Sequence, residues 1–193
     1  MGNKSTREHI VEEADRLFYQ QGFEHTSFAH IAEAVKISRG NFYYHFKSKD
    51  EILEAVIKLR LSNTQAMLDR WQEAVTAADR IRSFIDILLM NRAKIQRFGC
   101  PVGTLCSELS KLDHGSRDEA VKLFSLFRAW LRIQFEQLGH TANADELAMH
   151  LLARSQGVAT LASAFQDEQF IEQEVKQLYE WLSLKARKPL MAE

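Results

Sequence analysis

Two prolines and eight glycines in 193 residues leave little material for turns, so a chain cut into many short strands is disfavoured and long helices with short connections are expected. No apolar run is long enough to span a bilayer, and no apolar stretch follows the first cations as a secretory leader would. The expected location is therefore cytoplasmic, without a membrane partner, and the two cysteines are expected as thiols. Neither charge sign is in excess: 25 Lys and Arg face 26 Asp and Glu. A balance near zero does not decide against a polyanionic partner, because what matters is where the cations lie. Catalytic signatures are missing as well. There is no G-x-S-x-G, P-loop, H-E-x-x-H or paired E-x-x-H, and the single Glu146/His150 pair is spaced i to i+4. No enzyme, metal site or cofactor is expected. An apolar share of 46% with 26% charged residues is that of a folded globular chain.

What is present is helical periodicity. Ile10, Val11, Ala14, Leu17 and Phe18 repeat at helical spacing until Gly22. The start, Met1-Gly2-Asn3-Lys4-Ser5-Thr6, fits an N-myristoylation template, but Ser5 with Glu8 is better read as a capping box. Thr26 is expected to cap a second helix with Phe28, Ile31, Ala32 and Val35 inward. A turn at Lys36-Ile37 leads to Ser38, the cap of a third helix running to about Tyr44, and Ser48 with Glu51 boxes a long fourth one. Further helices are expected over 80–95, after the Gly99-Cys100-Pro101 break, from Ser116 to Gly139, from Asn143 through Phe165, and from 168 to 185 before Pro189. The fold class is all-α, with about nine helices.

Two helices of about two turns joined by three or four residues form a helix-turn-helix. Its second helix carries an uneven charge. Residues 36–49 hold Lys36, Arg39, Lys47 and Lys49 and no acid, whereas residues 1–60 hold nine cations and nine acids. Phe42 and Phe46 fall four apart and face the second helix, which turns Asn41, Tyr43 and Tyr44 outward with Arg39. Such a face suits a major groove. Arg39 and Asn41 have donors for base edges, and Tyr43 has a ring for a thymine methyl or a hydroxyl for a phosphate. Gly40 permits close approach. Tyr44, His45 and Lys49, with Thr26 and Ser27, are expected on the sugar-phosphate backbone. Half-buried packing competes with contact for Tyr43, and capping or packing competes for His45. Lys47 is read as solvated.

The stretch LFYQQGFEHTSFAHIAEAVKISRGNFYYHFKSKDEIL strongly resembles the DNA-binding domain of the TetR family of bacterial transcriptional regulators. Gly22-Phe23, Thr26-Ser27, Ile31-Ala32, Ser38, Gly40, Tyr43, His45-Phe46 and Lys49 carry the resemblance, about a quarter of the chain. The segment GCPVGTLCSEL looks like the start of the sixth helix in some subgroups. The resemblance implies a DNA-binding domain over residues 1–48 and an effector-binding and dimerisation domain over 49–193. It further implies a homodimer through the last two helices, with Leu151, Val158, Leu161, Phe165, Leu178, Tyr179 and Leu182, on a double-stranded palindromic operator. Close helix approach across that dimer would be one reason for Gly157 in mid-helix, and simple tolerance is another.

A small-molecule effector is implied as well, its site drawn from Phe84, Leu88, Cys106, Leu109, Phe124, Phe127, Trp130 and Gln134. The few polar residues there suggest an uncharged or weakly polar ligand. Cys100, flanked by Lys94 and Arg97 near a helix start, is a candidate redox or electrophile sensor. Its competing reading, shared with Cys106, is a small apolar side chain at a turn. An alternative for the whole chain is a constitutive nucleoid or accessory protein, distinguished by a solid C-terminal core.

Overall fold

The computed structural model describes residues 5–186, and among these it contains ten helices and no strand. They are α1 (Thr6–Gln21), α2 (Phe28–Val35), α3 (Arg39–His45), α4 (Lys49–Trp71), α5 (Ala77–Met90), α6 (Arg92–Phe98), α7 (Pro101–Lys111), α8 (Arg117–Gln137), α9 (Ala144–Phe165) and α10 (Glu168–Ala186). The all-α expectation holds. The myristoylation template reaches back to Met1, and the proline stop is Pro189; Met1 to Lys4 and Pro189 lie outside the described residues.

The sequence signals account for most boundaries. Ser5 caps α1, its hydroxyl accepting from the Glu8 N–H at 3.2 Å while the Glu8 carboxylate accepts from the Ser5 N–H at 2.8 Å. Gly22 ends α1 at φ 90°, a backbone value that favours glycine. Pro101 takes the first position of α7, where no amide partner is lost.

Four local expectations differ from the structure. Ser27, not Thr26, caps α2, with the His30 ring taking the place of the usual acid: the Ser27 N–H donates to His30 Nδ1. The box at Ser48 is split. Glu51 N–H donates to the Ser48 hydroxyl, but the Glu51 carboxylate accepts from the Lys47 N–H, one residue earlier than a reciprocal box requires. The single helix expected over 80–95 is two, because the Asn91 amide donates to the Ile87 carbonyl and ends α5 there. Asn143 precedes α9 without a side-chain cap.

By compactness the chain forms two units that do not follow the 48/49 boundary. The first holds residues up to Thr64 together with Pro101–Leu123; the second holds Gln65–Cys100 and the residues from Phe124 onward. In the first, α1 packs on α2 and α7, and α2 on α3. Ile10, Ile31, Phe42, Phe46, Ile52, Leu53 and Leu109 are fully buried. Burial of each Phe or Ile is worth about 1.5–3 kcal/mol, which holds the seven-residue α3 in place although a helix so short is unstable alone.

In the second unit α10 lies along α5 and α9, over a core that includes Ile81, Ile85, Leu131, Phe135, Leu151 and Leu178. Tyr179 joins α10 to α5 by donating its hydroxyl to Asp86. Burial first, and the Asp86 carboxylate second, push its ionisation up to about 12. The phenol therefore holds its proton more tightly folded than unfolded. Its contribution is complete below the ordinary value of 10 and is lost as pH rises to about 12.

Candidate nucleic-acid interface

The geometry starts at the turn between α2 and α3. Lys36 adopts the left-handed conformation at φ 59°, and its N–H together with that of Ile37 closes the end of α2 on the Ala32 and Glu33 carbonyls. Ser38 then caps α3 by accepting from the Asn41 N–H. One face of α3 is fixed by Phe42 and Phe46, each 1% exposed. The opposite face follows from helical geometry: Arg39, Gly40, Asn41, Tyr43 and Tyr44 are all exposed, Tyr44 the most at 79%.

Tyr43 is exposed yet held. Its ring meets Phe28 edge-on at 5.5 Å and Phe42 at 6.5 Å, while Phe28 and Phe42 lie 5.1 Å apart. Packing and presentation are thus compatible for this tyrosine. His45 is half-buried at the end of α3, with the Tyr44 ring across it at 5.2 Å. Lys47 donates its ammonium back to the Tyr43 carbonyl. Gly40 has open space on its outer side, since a Cβ added there meets nothing within 4 Å. Gly40→Ala is therefore expected to stabilise the fold by about 0.5–1 kcal/mol, glycine being the poorer helix former. In the same variant DNA affinity should fall, because the new methyl projects from the exposed face of α3; melting curves and binding isotherms of one preparation check both.

Two residues expected on the phosphates are engaged elsewhere. Thr26 is 1% exposed; its hydroxyl donates to the Gly22 carbonyl at 2.6 Å and accepts from Gln21. It closes the turn from α1 to α2, and its side chain presents no surface for a phosphate. Ser27 beside it is exposed. The Lys49 ammonium donates to the Phe23 and Glu24 carbonyls at 3.1 and 3.3 Å and lies 4.2 Å over the Phe23 ring. It secures the same turn.

A residue that sequence reasoning missed completes this arrangement. The Glu108 carboxylate on α7 accepts from the Phe23 and Glu24 N–H groups, each at 2.9 Å. The peptide groups of Phe23 and Glu24 are thus held on their amide side by an anion and on their carbonyl side by a cation. No local pattern in the sequence points to it, because partner and turn are about 85 positions apart. Arg60 was also missed. Its guanidinium donates to Asp15 on α1 and to the Pro101 carbonyl at the start of α7.

The residues expected around an effector are drawn from both units. Cys106 and Leu109 belong to the first unit; Phe84, Leu88, Phe124, Phe127, Trp130 and Gln134 belong to the second. Phe84, Leu88, Phe127 and Gln134 are buried, and Phe84 meets Phe127 edge-on at 5.5 Å. The Trp130 indole N–H is buried without a hydrogen-bond partner among the described residues. Cys106 is buried and Cys100 half-buried. Among the described residues no group of three metal-binding side chains comes together, and no helix is long and apolar enough to cross a membrane.

Comparison with known proteins matches this architecture. The sequence model of "Bacterial regulatory proteins, tetR family" matches residues 10–56, which span most of α1, all of α2 and α3 and the start of α4. An uncharacterised HTH-type transcriptional regulator in the lacX 3' region of Lactococcus lactis subsp. lactis is 29% identical, over 88% of this chain and 89% of its own length. The HTH-type transcriptional repressor DhaR of Mycobacterium sp. (strain GP1) is 26% identical, over 81% and 82% respectively. Among solved structures, a TetR transcriptional regulator from Legionella pneumophila superposes with a TM-score of 0.83 at 27% identity, covering 94% of this chain and 98% of that one. These relatives are transcriptional regulators and not enzymes. With its helix-turn-helix, its exposed α3 face and this likeness along most of its length, the chain carries over residues 10–56 a DNA-binding segment that matches the TetR family, and it is similar overall to TetR-family transcriptional regulators.

Proposed function

We propose that the protein is a homodimeric repressor that leaves a palindromic operator when a small molecule binds. The observation that carries the DNA contacts is the outward face of α3, where Arg39, Asn41, Tyr43 and Tyr44 are exposed on a helix anchored by Phe42 and Phe46. In this reading Arg39 and Asn41 address base edges, Tyr43 packs against them, and Ser27, Tyr44 and His45 meet the backbone. Residues 1–48 act as the DNA-binding domain and residues 49–193 as the effector and dimerisation domain. The word repressor in the name of the mycobacterial relative supports the sign of the regulation.

Dimerisation through α9 and α10 is supported by what α9 leaves uncovered. Met149, Ala153, Gly157, Thr160, Leu161, Ala164 and Phe165 are exposed, a stripe that mixes apolar with small residues. Nothing lies within 4 Å of a Cβ built on Gly157, so the space there is open to a second helix. Leu151, Val158, Leu178 and Leu182 are buried within the protomer and serve its own core. Two subunits then place two α3 helices about one DNA turn apart.

The effector is read as an uncharged or weakly polar molecule held among Phe84, Leu88, Phe124, Phe127, Trp130 and Gln134. The unpartnered Trp130 N–H supports one hydrogen-bond acceptor on it. Release is a population shift, and each tenfold loss of DNA affinity requires about 1.4 kcal/mol of preference for the DNA-free form. Cys100 and Cys106 act as packing side chains in this reading.

Selection of binding sites from random duplexes, followed by titration of Arg39→Ala and Tyr43→Ala, tests the proposal. Each variant is expected to lose about 10–100-fold in affinity for the selected site with helicity and subunit number unchanged, the worth of about 1–3 kcal/mol per base contact. Unchanged affinity in both would defeat the contact assignment.

A further inference from the structure

Between α2 and α3 lies a groove of about 260 Å³. Its floor is carbon, formed by Phe28, Ala32 and Phe42, the last two buried, and the exposed Ser27 lines it as well. Its rim is formed by Ala29, Arg39 and Tyr43, all exposed on the side of α3 that carries the reading face. We propose that this groove is a specificity pocket for the C5-methyl edge of one thymine in each half of the operator. The inference rests on the DNA-binding reading above and adds to it which base is recognised and by what.

The chemistry of the floor selects the occupant. The side chains of Phe28, Ala32 and Phe42 offer no donor to a phosphate oxygen, so the floor itself opposes one, while Ser27 and Arg39 remain for the flanking phosphate. Among the major-groove edges of the four bases the thymine methyl is the one apolar substituent, so it is the group that gains from this floor. In a helix-turn-helix the second helix enters the major groove while the first crosses the backbone, and a groove between them opens at the edge of the stacked bases. The rim is built to hold its shape. Tyr43 stands as one wall because Phe28 and Phe42 brace it at 5.5 and 6.5 Å. Arg39 at the other side keeps its guanidinium for a guanine next to the thymine or for the flanking phosphate. Tyr43 alone would offer a methyl one ring face; the groove encloses it on α2 as well, through Ala29 and Ala32.

The test uses the full-length protein and its selected operator, with each thymine replaced singly by deoxyuridine, which removes the methyl and keeps every hydrogen bond. One position in each half-site is expected to lose about fourfold in affinity, the worth of one buried methyl, and the rest to change little. Ala29→Leu, a substitution at an exposed helical position, fills the groove and should make the thymine and uracil duplexes bind equally, whatever its overall affinity. Ala29→Val serves in the same way if the leucine variant does not fold. An operator in which no uracil substitution matters, or a preference that persists in full in the filled variant, overturns the inference while leaving DNA binding intact. Failure to select any sequence would overturn the DNA-binding reading itself.

Discussion

Replacement of Arg60 by methionine is expected to destabilise the protein by about 3 kcal/mol, lowering its melting temperature by about 6–12 °C for a chain of this size. Arg60 is 9% exposed. Its Nε donates to Asp15 Oδ1 at 2.5 Å, and one Nη donates to the Pro101 carbonyl at 2.6 Å. Methionine fills similar volume, so packing changes little. What it leaves behind is a carboxylate and a carbonyl without their donor, each only partly open to water. Removing one member of a fully buried pair costs about 3–5 kcal/mol; Asp15 retains some access to solvent, which places the estimate at the lower end. Asp15→Leu combined with Arg60→Met removes the stranded charge and should recover part of the loss. Thermal unfolding of the two single variants and the double variant measures the coupling. Equal stability of Arg60→Met and the parent would show that the pair contributes nothing net.

Glu108→Ala should cost about 2 kcal/mol, since two charge-assisted hydrogen bonds disappear from a turn that is only partly exposed to solvent. The effect is not confined to stability. The turn leads into α2, and Gly22 at its start has φ 90° and would bring a Cβ within 3.0 Å of the Glu108 carboxylate. Anion, glycine and cation at Lys49 therefore determine one backbone path into the helix-turn-helix. Glu108→Gln keeps one acceptor and should lose about half as much. DNA affinity measured well below the melting transition should fall further in the alanine variant than in the glutamine variant. Identical melting curves for all three proteins would sink the argument.

The legible parts of this chain were the local ones. Ser5 with Glu8, Gly22, Ser38, Pro101 and Gly139 mark boundaries through interactions within a few residues, and the structure has its boundaries there. The inward aspect of Phe42 and Phe46 and the outward aspect of Tyr43 and Tyr44 follow from periodicity alone. Side chains with more than one chemically suitable partner or role were not legible. Thr26 and Ser27 are both good caps, and which one turns inward depends on the Gly22 carbonyl waiting below Thr26. Lys49 near a basic segment reads as a phosphate ligand until the Phe23 and Glu24 carbonyls are seen within its reach. Glu108 and Arg60 were illegible for a different reason: their partners lie tens of residues away, and a lone acid or arginine on an amphipathic helix looks the same whether it meets solvent or a distant backbone group.

The bracing of Tyr43 against two phenylalanines has a consequence for kinetics and entropy. A side chain restrained by its neighbours surrenders less torsional freedom on docking than a mobile one, out of the about 0.5–1.5 kcal/mol that immobilising such a side chain costs. If Tyr43 meets the duplex as proposed, encounter then needs little rearrangement of that ring.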